Sequence, residues 1–204
     1  MEKNLAKWIS ILIHPLIMPT LGIIILLNSG VYVSFIPWEI KKLIYLMVFL
    51  GTFLIPLCLI PFFLYQKIIG NIEMSERKER IIPLSITALF YFFTYFIFIK
   101  VQVYHLLQLF ILGAAITILI TLFITIKWKI SAHLIGIGGV SGGILAIGLK
   151  YNIDIQSIFM TSILVAGLLG YSRLKLKAHT PAQIYAGYFT GLVIMLLIIF
   201  LGIN

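Results

Sequence analysis

A short polar segment between two long apolar runs contains side chains that can bind or attack an oxyanion. Residues 170–183 read GYSRLKLKAHTPAQ and carry Arg173 six positions before His179. Thr180–Gln183 has the pattern of a helix start, with an N-capping Thr, Pro at the first helical position and Gln three residues after the cap. His179 therefore precedes a helix N-terminus, where free N–H groups and the dipole favour an anion. An arginine that binds an oxyanion and a histidine that attacks one indicate a phosphate site.

A second histidine stands in a similar setting. Lys127-Trp-Lys129 ends one apolar run, and Ser131 has the residue type of an N-cap for the next. This places His133 in the first turn of a helix, beside cations, as His179 is. The alternative is that both histidines belong to basic loops at a membrane surface and have no function. Two histidines in the same setting make an incidental placement less plausible than one would.

The segment between Gln66 and Pro83 is the most polar part of the chain. It holds three of the six acidic residues together with three cations: Glu73, Glu76, Glu79, Arg77, Lys78 and Arg80. Exposed ion pairs of this kind contribute little to stability, so a solvated loop is the simple interpretation. The same side chains could also form part of a site against a membrane face.

The composition of the chain indicates which kind of fold holds these side chains in place. The 204-residue chain is 62% hydrophobic and 10% charged, with a mean hydropathy of +1.15. A soluble domain is nearer a quarter charged, and several apolar runs reach the roughly 20 residues needed to cross a bilayer. The sequence predicts an all-α fold, a polytopic transmembrane helical bundle, with residues 1–204 forming a single integral membrane domain.

Seven apolar spans can be drawn, with boundaries uncertain by a few residues. The first contains His14, Pro15 and Pro19 and could be partly re-entrant, so the count is six to seven. The spans lie at roughly 8–28, 42–66, 82–100, 105–126, 132–149, 156–171 and 183–203. The fifth is rich in glycine between residues 136 and 143, which predicts close helix packing.

Counting crossings places both histidines and the Glu/Arg loop on one face. If every span crosses, the N-terminus, residues 67–82, 127–131 and 172–182 share that face. It carries 11 of the 15 Lys and Arg residues. The positive-inside rule assigns this face to the cytoplasm, although a phosphate site would itself add cations to the count.

Three stretches resemble the signatures of the type 2 phosphatidic acid phosphatase family. Ser172-Arg173, five residues, His179, three residues and Gln183 is similar to Ser-Arg-x5-His-x3-Asp. Residues 130–133, Ile-Ser-Ala-His, resemble Pro-Ser-Gly-His, and residues 77–83, RKERIIP, loosely resemble Lys-x6-Arg-Pro. The order of the signatures is kept, and the all-helical membrane architecture agrees with the resemblance.

The resemblance implies a lipid phosphate phosphatase that works through a phosphohistidine. His179 would attack phosphorus, His133 would protonate the leaving group, and Arg173 would hold the phosphoryl oxygens. Further phosphate-binding residues would be Lys78, Arg80, Ser131 and Ser172. No metal and no other cofactor is implied.

Gln183 stands where the family has Asp, so the partner that would orient His179 carries no charge. Glu73, Glu76 or Glu79 could supply the missing carboxylate. Gln183 also favours an alternative, a catalytically impaired relative that binds or transports a phosphorylated lipid. A third hypothesis is a prenyl-transferring enzyme, but such enzymes use paired Asp-rich motifs and this chain has only Asp154.

The expected partners are a phosphorylated lipid substrate and membrane lipids, and not nucleic acid. The candidates are phosphatidic acid, phosphatidylglycerol phosphate, a polyprenyl diphosphate or a phosphorylated lipid A-like lipid. The expected location is a cell membrane, the bacterial inner membrane. The sequence leaves the oligomeric state open.

Overall fold

The computed structural model describes residues 2–74 and 76–202, in which every regular element is helical. In chain order the α-helices are α1 (Glu2–Leu12), α2 (Met18–Leu26), α3 (Trp38–Val48), α4 (Ile55–Cys58), α5 (Ile60–Tyr65), α6 (Ile81–Lys100), α7 (His105–Lys127), α8 (Ala132–Tyr151), α9 (Gln156–Lys175) and α10 (Pro181–Gly202). Short 3-10 helices occupy Pro15–Ile17, Tyr32–Phe35 and Lys78–Arg80, and a π-helical turn occupies Phe49–Leu54.

Seven segments of the described chain are long and apolar enough to cross a membrane, judged by length and composition. They are Glu2–Leu26, Trp38–Tyr65, Lys78–Lys100, His105–Lys127, Ala132–Tyr151, Gln156–Lys175 and Pro181–Gly202. The prediction of an all-α bundle with six to seven spans is confirmed. The chain is a multi-pass membrane protein.

The first of these segments is broken at His14. A residue before proline is biased away from the helical region, and His14 is extended with ψ 140°. The chain then continues through the 3-10 turn Pro15–Ile17 into α2. The break separates α1 from the part of the segment that enters the bundle.

The contacts of α1 place it at the end of the bundle where α8 begins and α9 ends. Glu2 pairs with Lys175 in the last turn of α9, and the Ser10 carbonyl contacts His133 in the first turn of α8. Beyond the break, Pro15–Ile17 and α2 run along the bundle toward its opposite end, where Tyr32 packs against aromatic rings. The first span is therefore not one continuous helix.

The second segment is interrupted between α3 and α5. The π-helical turn is followed by two short helices that have Pro56 and Pro61 in their first turns. Proline removes a backbone donor and clashes with the preceding turn, which accounts for the interruption of the helix here. This segment lies at the periphery of the bundle, since only 22% of its most apolar stretch is buried.

Helix α8 is the central helix. Its most apolar stretch is 72% buried, and the corresponding share does not exceed 50% in any other of the seven segments. Its partner along most of its length is α10, and glycines bring the two backbones together. A Cβ atom at Gly142 would lie 2.2 Å from the Leu192 carbonyl oxygen, and one at Gly191 would lie 2.0 Å from that of Ile135. Small residues permit this approach, as the glycine-rich pattern predicts.

We predict that Gly191→Ala destabilises the protein by about 1–3 kcal/mol, because the added methyl group meets a backbone carbonyl that cannot rotate away. Gly167→Ala is the matched control, since a Cβ there meets nothing within 4 Å. Thermal unfolding in detergent should show a melting temperature several degrees lower for Gly191→Ala and unchanged or higher for the control. Equal melting temperatures would refute the close α8–α10 contact.

Candidate functional site

The first turns of α8 and α10 lie side by side. The two helices run parallel, because successive glycine contacts advance along both in the same direction. The Ser131 N–H donates to the Gln183 carbonyl oxygen at 3.4 Å. Two helix N-termini therefore present their positive ends at one place. This arrangement favours an anion before any side chain is considered.

The predicted helix start at Thr180 is confirmed. The Gln183 N–H donates to Thr180 Oγ1 at 3.4 Å, and the Thr180 N–H donates to Gln183 Oε1 at 3.2 Å. This is a reciprocal capping box. It fixes the amide orientation of Gln183, because a backbone N–H can bond only to the oxygen of the amide.

The same oxygen sets the tautomer of His179. His179 Nδ1 lies 3.0 Å from Gln183 Oε1. Since Oε1 is an acceptor, Nδ1 must carry the hydrogen and donate it. The neutral ring then has its lone pair on Nε2. Gln183 thus orients the ring and selects the tautomer in the way that a carboxylate would, without adding negative charge.

His179 is buried, with 7% of its surface exposed. Burial is the main cause that lowers its pKa to about 3, and Arg80 lowers it further. Arg173 and Lys129 act in the same direction, while the hydrogen bond that Nδ1 donates to Gln183 opposes them. The ring is therefore neutral at physiological pH, and its Nε2 lone pair is available for nucleophilic attack.

Three cations surround this ring. Arg80 is held by main-chain carbonyls, with Nε donating to Met74 at 2.9 Å and Nη1 directed at Ile130 at 3.5 Å. Burial lowers the pKa of Lys129, and the charges of Arg80 and Arg173 lower it further. Like charges held this close to each other are costly unless an anion joins them.

Two buried polar atoms of the site have no hydrogen-bond partner in the described structure, Arg173 Nε and Ser131 Oγ. Ser131 stands at the N-cap of α8 as predicted, but its hydroxyl makes no capping bond. Buried polar groups are nearly always paired, and an unpaired one costs about 1–3 kcal/mol. A donor and a hydroxyl left open beside three cations indicate a place for an oxyanion.

Two further histidines adjoin Arg173. His133 Nε2 lies 3.1 Å from the Ser10 carbonyl oxygen, which accepts only, so this nitrogen carries a hydrogen. The ring of His14 is 5.7 Å from that of His133, and both are within electrostatic range of Arg173. No local sequence pattern assigns His14 to the site, because His133 and Arg173 are more than 100 residues away along the chain.

The remaining predicted residues contribute less in this structure. The Ser172 hydroxyl donates to the Leu168 carbonyl of its own helix at 2.9 Å, and Lys78 is exposed. The Glu79 carboxylate accepts the N–H groups of Gly70 and Glu76.

The exposed residues Glu73 and Glu76 differ in their position relative to the site. Glu73 is within electrostatic range of Arg173, whereas the backbone N–H of Glu76 donates to the Glu79 carboxylate. None of the three glutamates forms a hydrogen bond with His179 among the described contacts; Gln183 does. The carboxylate that would replace the family's Asp is therefore not found beside the ring.

Within residues 2–74 and 76–202, no three His, Cys, Asp or Glu side chains are grouped closely enough to hold a metal ion. No family model, no curated protein and no solved structure matches this chain. Functional inference therefore depends on the geometry of this cluster: His179, His133, Arg80, Lys129, Arg173, Ser131 and His14.

We predict that His179 is neutral with the hydrogen on Nδ1 from pH 8 down to pH 5, since burial and nearby cations oppose protonation. Nitrogen-15 NMR of histidine-labelled protein should show Nδ1 protonated and Nε2 unprotonated throughout this range. In Gln183→Ala the Nδ1–H tautomer should lose its preference, while Gln156→Ala on the opposite end leaves it unchanged. A hydrogen on Nε2 in the wild type would contradict the assignment.

We also predict that Arg173→Met stabilises the ligand-free protein by about 1–2 kcal/mol, because it removes a buried donor that lacks a partner. The same variant should lose the rise in melting temperature that phosphate gives the wild type. Arg77→Met is the control, since Arg77 Nη1 already donates to the Lys127 carbonyl at 2.5 Å. If Arg173→Met proved less stable than the wild type without phosphate, the site would not be short of an anion.

Proposed function

We propose that the protein is an integral membrane phosphatase that hydrolyses a lipid phosphate or diphosphate through a phosphohistidine at His179. One observation carries the proposal. A neutral imidazole with its lone pair on Nε2 lies beside Arg80 and Arg173, and Arg173 Nε and Ser131 Oγ have no hydrogen-bond partner among the described residues. Phosphoryl transfer requires mainly positioning and positive charge, and this cluster offers both.

In the first step His179 Nε2 attacks phosphorus and the bond from phosphorus to the leaving oxygen breaks. The leaving oxygen takes the electron pair and a proton from His133. Because His133 Nε2 is bonded to the Ser10 carbonyl, that proton comes from Nδ1 of the imidazolium form, which is favoured only while the negatively charged phosphoryl group lies beside the ring. The N–H of His179 Nδ1 remains bonded to Gln183 Oε1, which stabilises the ring as it gains positive charge.

In the second step water attacks the phosphohistidine. His133, now neutral at Nδ1, accepts a proton from the water, the N–P bond breaks, and the electron pair returns to Nε2. Inorganic phosphate leaves, and both histidines regain their starting states. The arginines and the Ser131 hydroxyl bind the phosphoryl oxygens throughout, so the charge that develops is matched by groups already in place.

The surroundings favour a lipid over a soluble phosphate ester. A narrow apolar cleft of about 40 Å³ lies between the Pro15–Ile17 turn and α2, α6, α7, α8 and α10. Ala132 and Pro15 line it, and these are the chain neighbours of His133 and His14. A hydrocarbon chain that followed this apolar lining and widened the cleft would leave its phosphate at the histidines.

A second candidate function is binding or transport of a phosphorylated lipid without hydrolysis. Gln183 favours it, because an amide gives the phosphorylated ring less stabilisation than a carboxylate would. The cationic site would then be retained while the attacking histidine is only weakly activated. Under either function the excess of cations on the site face favours a cytoplasmic orientation in the cell membrane, in bacteria the inner membrane.

The test is phosphate release by purified protein from the candidate lipid phosphates and diphosphates, without added metal, compared with glycerol phosphate. We expect release from at least one lipid, little from glycerol phosphate, and a loss of at least about 1,000-fold in His179→Ala. His105→Ala is the control, since His105 bonds to the Gly202 carbonyl at the opposite end. Its activity should equal that of the wild type.

Lipid binding with no release from any substrate would select the binding function. Phosphate release that persists in His179→Ala would exclude a phosphohistidine at His179, although the protein would still be a phosphatase. A requirement for magnesium would revive prenyl transfer. The lipid that is hydrolysed fastest would identify the substrate class.

A further inference from the structure

His14 lies at the break between α1 and the 3-10 turn Pro15–Ile17. Its Nδ1 accepts the Leu16 N–H at 3.3 Å, which caps the turn. A nitrogen that accepts a hydrogen bond has no hydrogen of its own, so the neutral ring carries its hydrogen on Nε2. The edge of the ring opposite the cap is therefore a donor.

The neighbours of this ring belong to the phosphate site. The His133 ring is edge-on at 5.7 Å, and Arg173 is within electrostatic range. No hydrogen bond of His14 Nε2 to another described residue is present, whereas Nε2 of His133 and of His105 each contacts a main-chain carbonyl. His14 thus brings a donor to a cluster whose members already favour an anion.

The segment before His14 contributes to the site in a second way. The Ser10 carbonyl holds His133, and Ser10 Oγ is buried without a partner in the described structure. The Glu2–Lys175 pair anchors the other end of α1 to α9. Because its two ends are attached to α9 and α8, both of which carry site residues, α1 holds His14 close to Arg173 although the helix breaks before Pro15.

We propose that His14 is a phosphate-binding residue, whose Nε2–H donates to an oxygen of the bound phosphoryl group. The inference rests on the proposed phosphate site and extends it to a residue outside the three signature-like stretches. His14 contacts the substrate as a neutral donor and does not attack it, since Nδ1 is used by the backbone cap. The first helix is in this way a part of the site.

The competing explanation is that His14 only caps the turn, and two substitutions separate the roles. Asparagine can place an acceptor near the position of Nδ1, which retains the cap and removes the Nε2 donor. Glutamine can place an amide donor near the position of Nε2, which retains the donor and weakens the cap. His105→Asn, at the opposite end of the bundle, is the control for loss of a surface imidazole.

The experiment is isothermal titration of each purified full-length protein in detergent with inorganic phosphate, beside its melting temperature. We expect His14→Asn to unfold near the wild-type temperature and to bind phosphate about 10-fold more weakly or worse, as for a lost hydrogen bond to an anion. His14→Gln should bind within about threefold of the wild type even with a lower melting temperature. His105→Asn should bind as the wild type does.

Wild-type affinity in His14→Asn would overturn the proposal, and so would an equal loss in the Asn and Gln variants, which would indicate ring packing. Failure of the wild type to bind phosphate would overturn both this inference and the proposed function. Phosphate binding without lipid hydrolysis would overturn the catalytic function alone, because the role of His14 is measured by binding.

Discussion

The direct backbone contact between α8 and α10 is the constraint on which the site depends. Gly191 and Gly142 let each helix approach the carbonyls of the other, and the Ser131–Gln183 main-chain bond sets the register at their first turns. This register places α8, which carries His133, against α10, which begins just after His179. A larger residue in the interface would separate the two N-termini, and the site would lose its geometry without any change in its own side chains.

The clustered cations destabilise the protein unless an anion binds among them. Arg80, Lys129 and Arg173 repel one another in a partly buried cluster, and Arg173 Nε has no hydrogen-bond partner in the part of the chain that the structure describes. A protein selected for stability alone would place apolar side chains at these positions. Natural proteins retain such destabilising groups at functional sites. The surrounding charge also helps to keep His179 neutral, so the same feature that destabilises the site without an anion would prepare the nucleophile of the proposed reaction.

Much of this could be predicted from local patterns. Helical spans follow from apolar run length, the start of α10 from its capping residues, and the shared face of His133 and His179 from the parity of crossings. These predictions succeed because each depends on a short stretch of chain. The signature-like stretches also predict Arg80 and Arg173 as phosphate-binding residues, and in the structure the charges of both lower the pKa of His179.

Long-range contacts could not be predicted in this way. His14 joins the site only because the His14–Pro15 break keeps α1 at the end where α8 begins, and no local pattern states where a broken helix will pack. Lys129 was counted only as a flanking cation, although it lies near Arg80 and Arg173. Ser172 shows the opposite case. It belongs to a signature-like stretch, yet its hydroxyl hydrogen is used by the Leu168 carbonyl one turn earlier.

The central claim is that His179 Nε2 forms a covalent bond to phosphorus. The most direct measurement is rapid quenching of the purified protein with a lipid phosphate carrying radioactive phosphorus, followed by peptide mapping of the labelled chain. The account predicts label on the peptide containing His179, with the stability to base and lability to acid of a phosphoramidate. Phosphate release with no labelled protein at any quench time, or label on another residue, would contradict it.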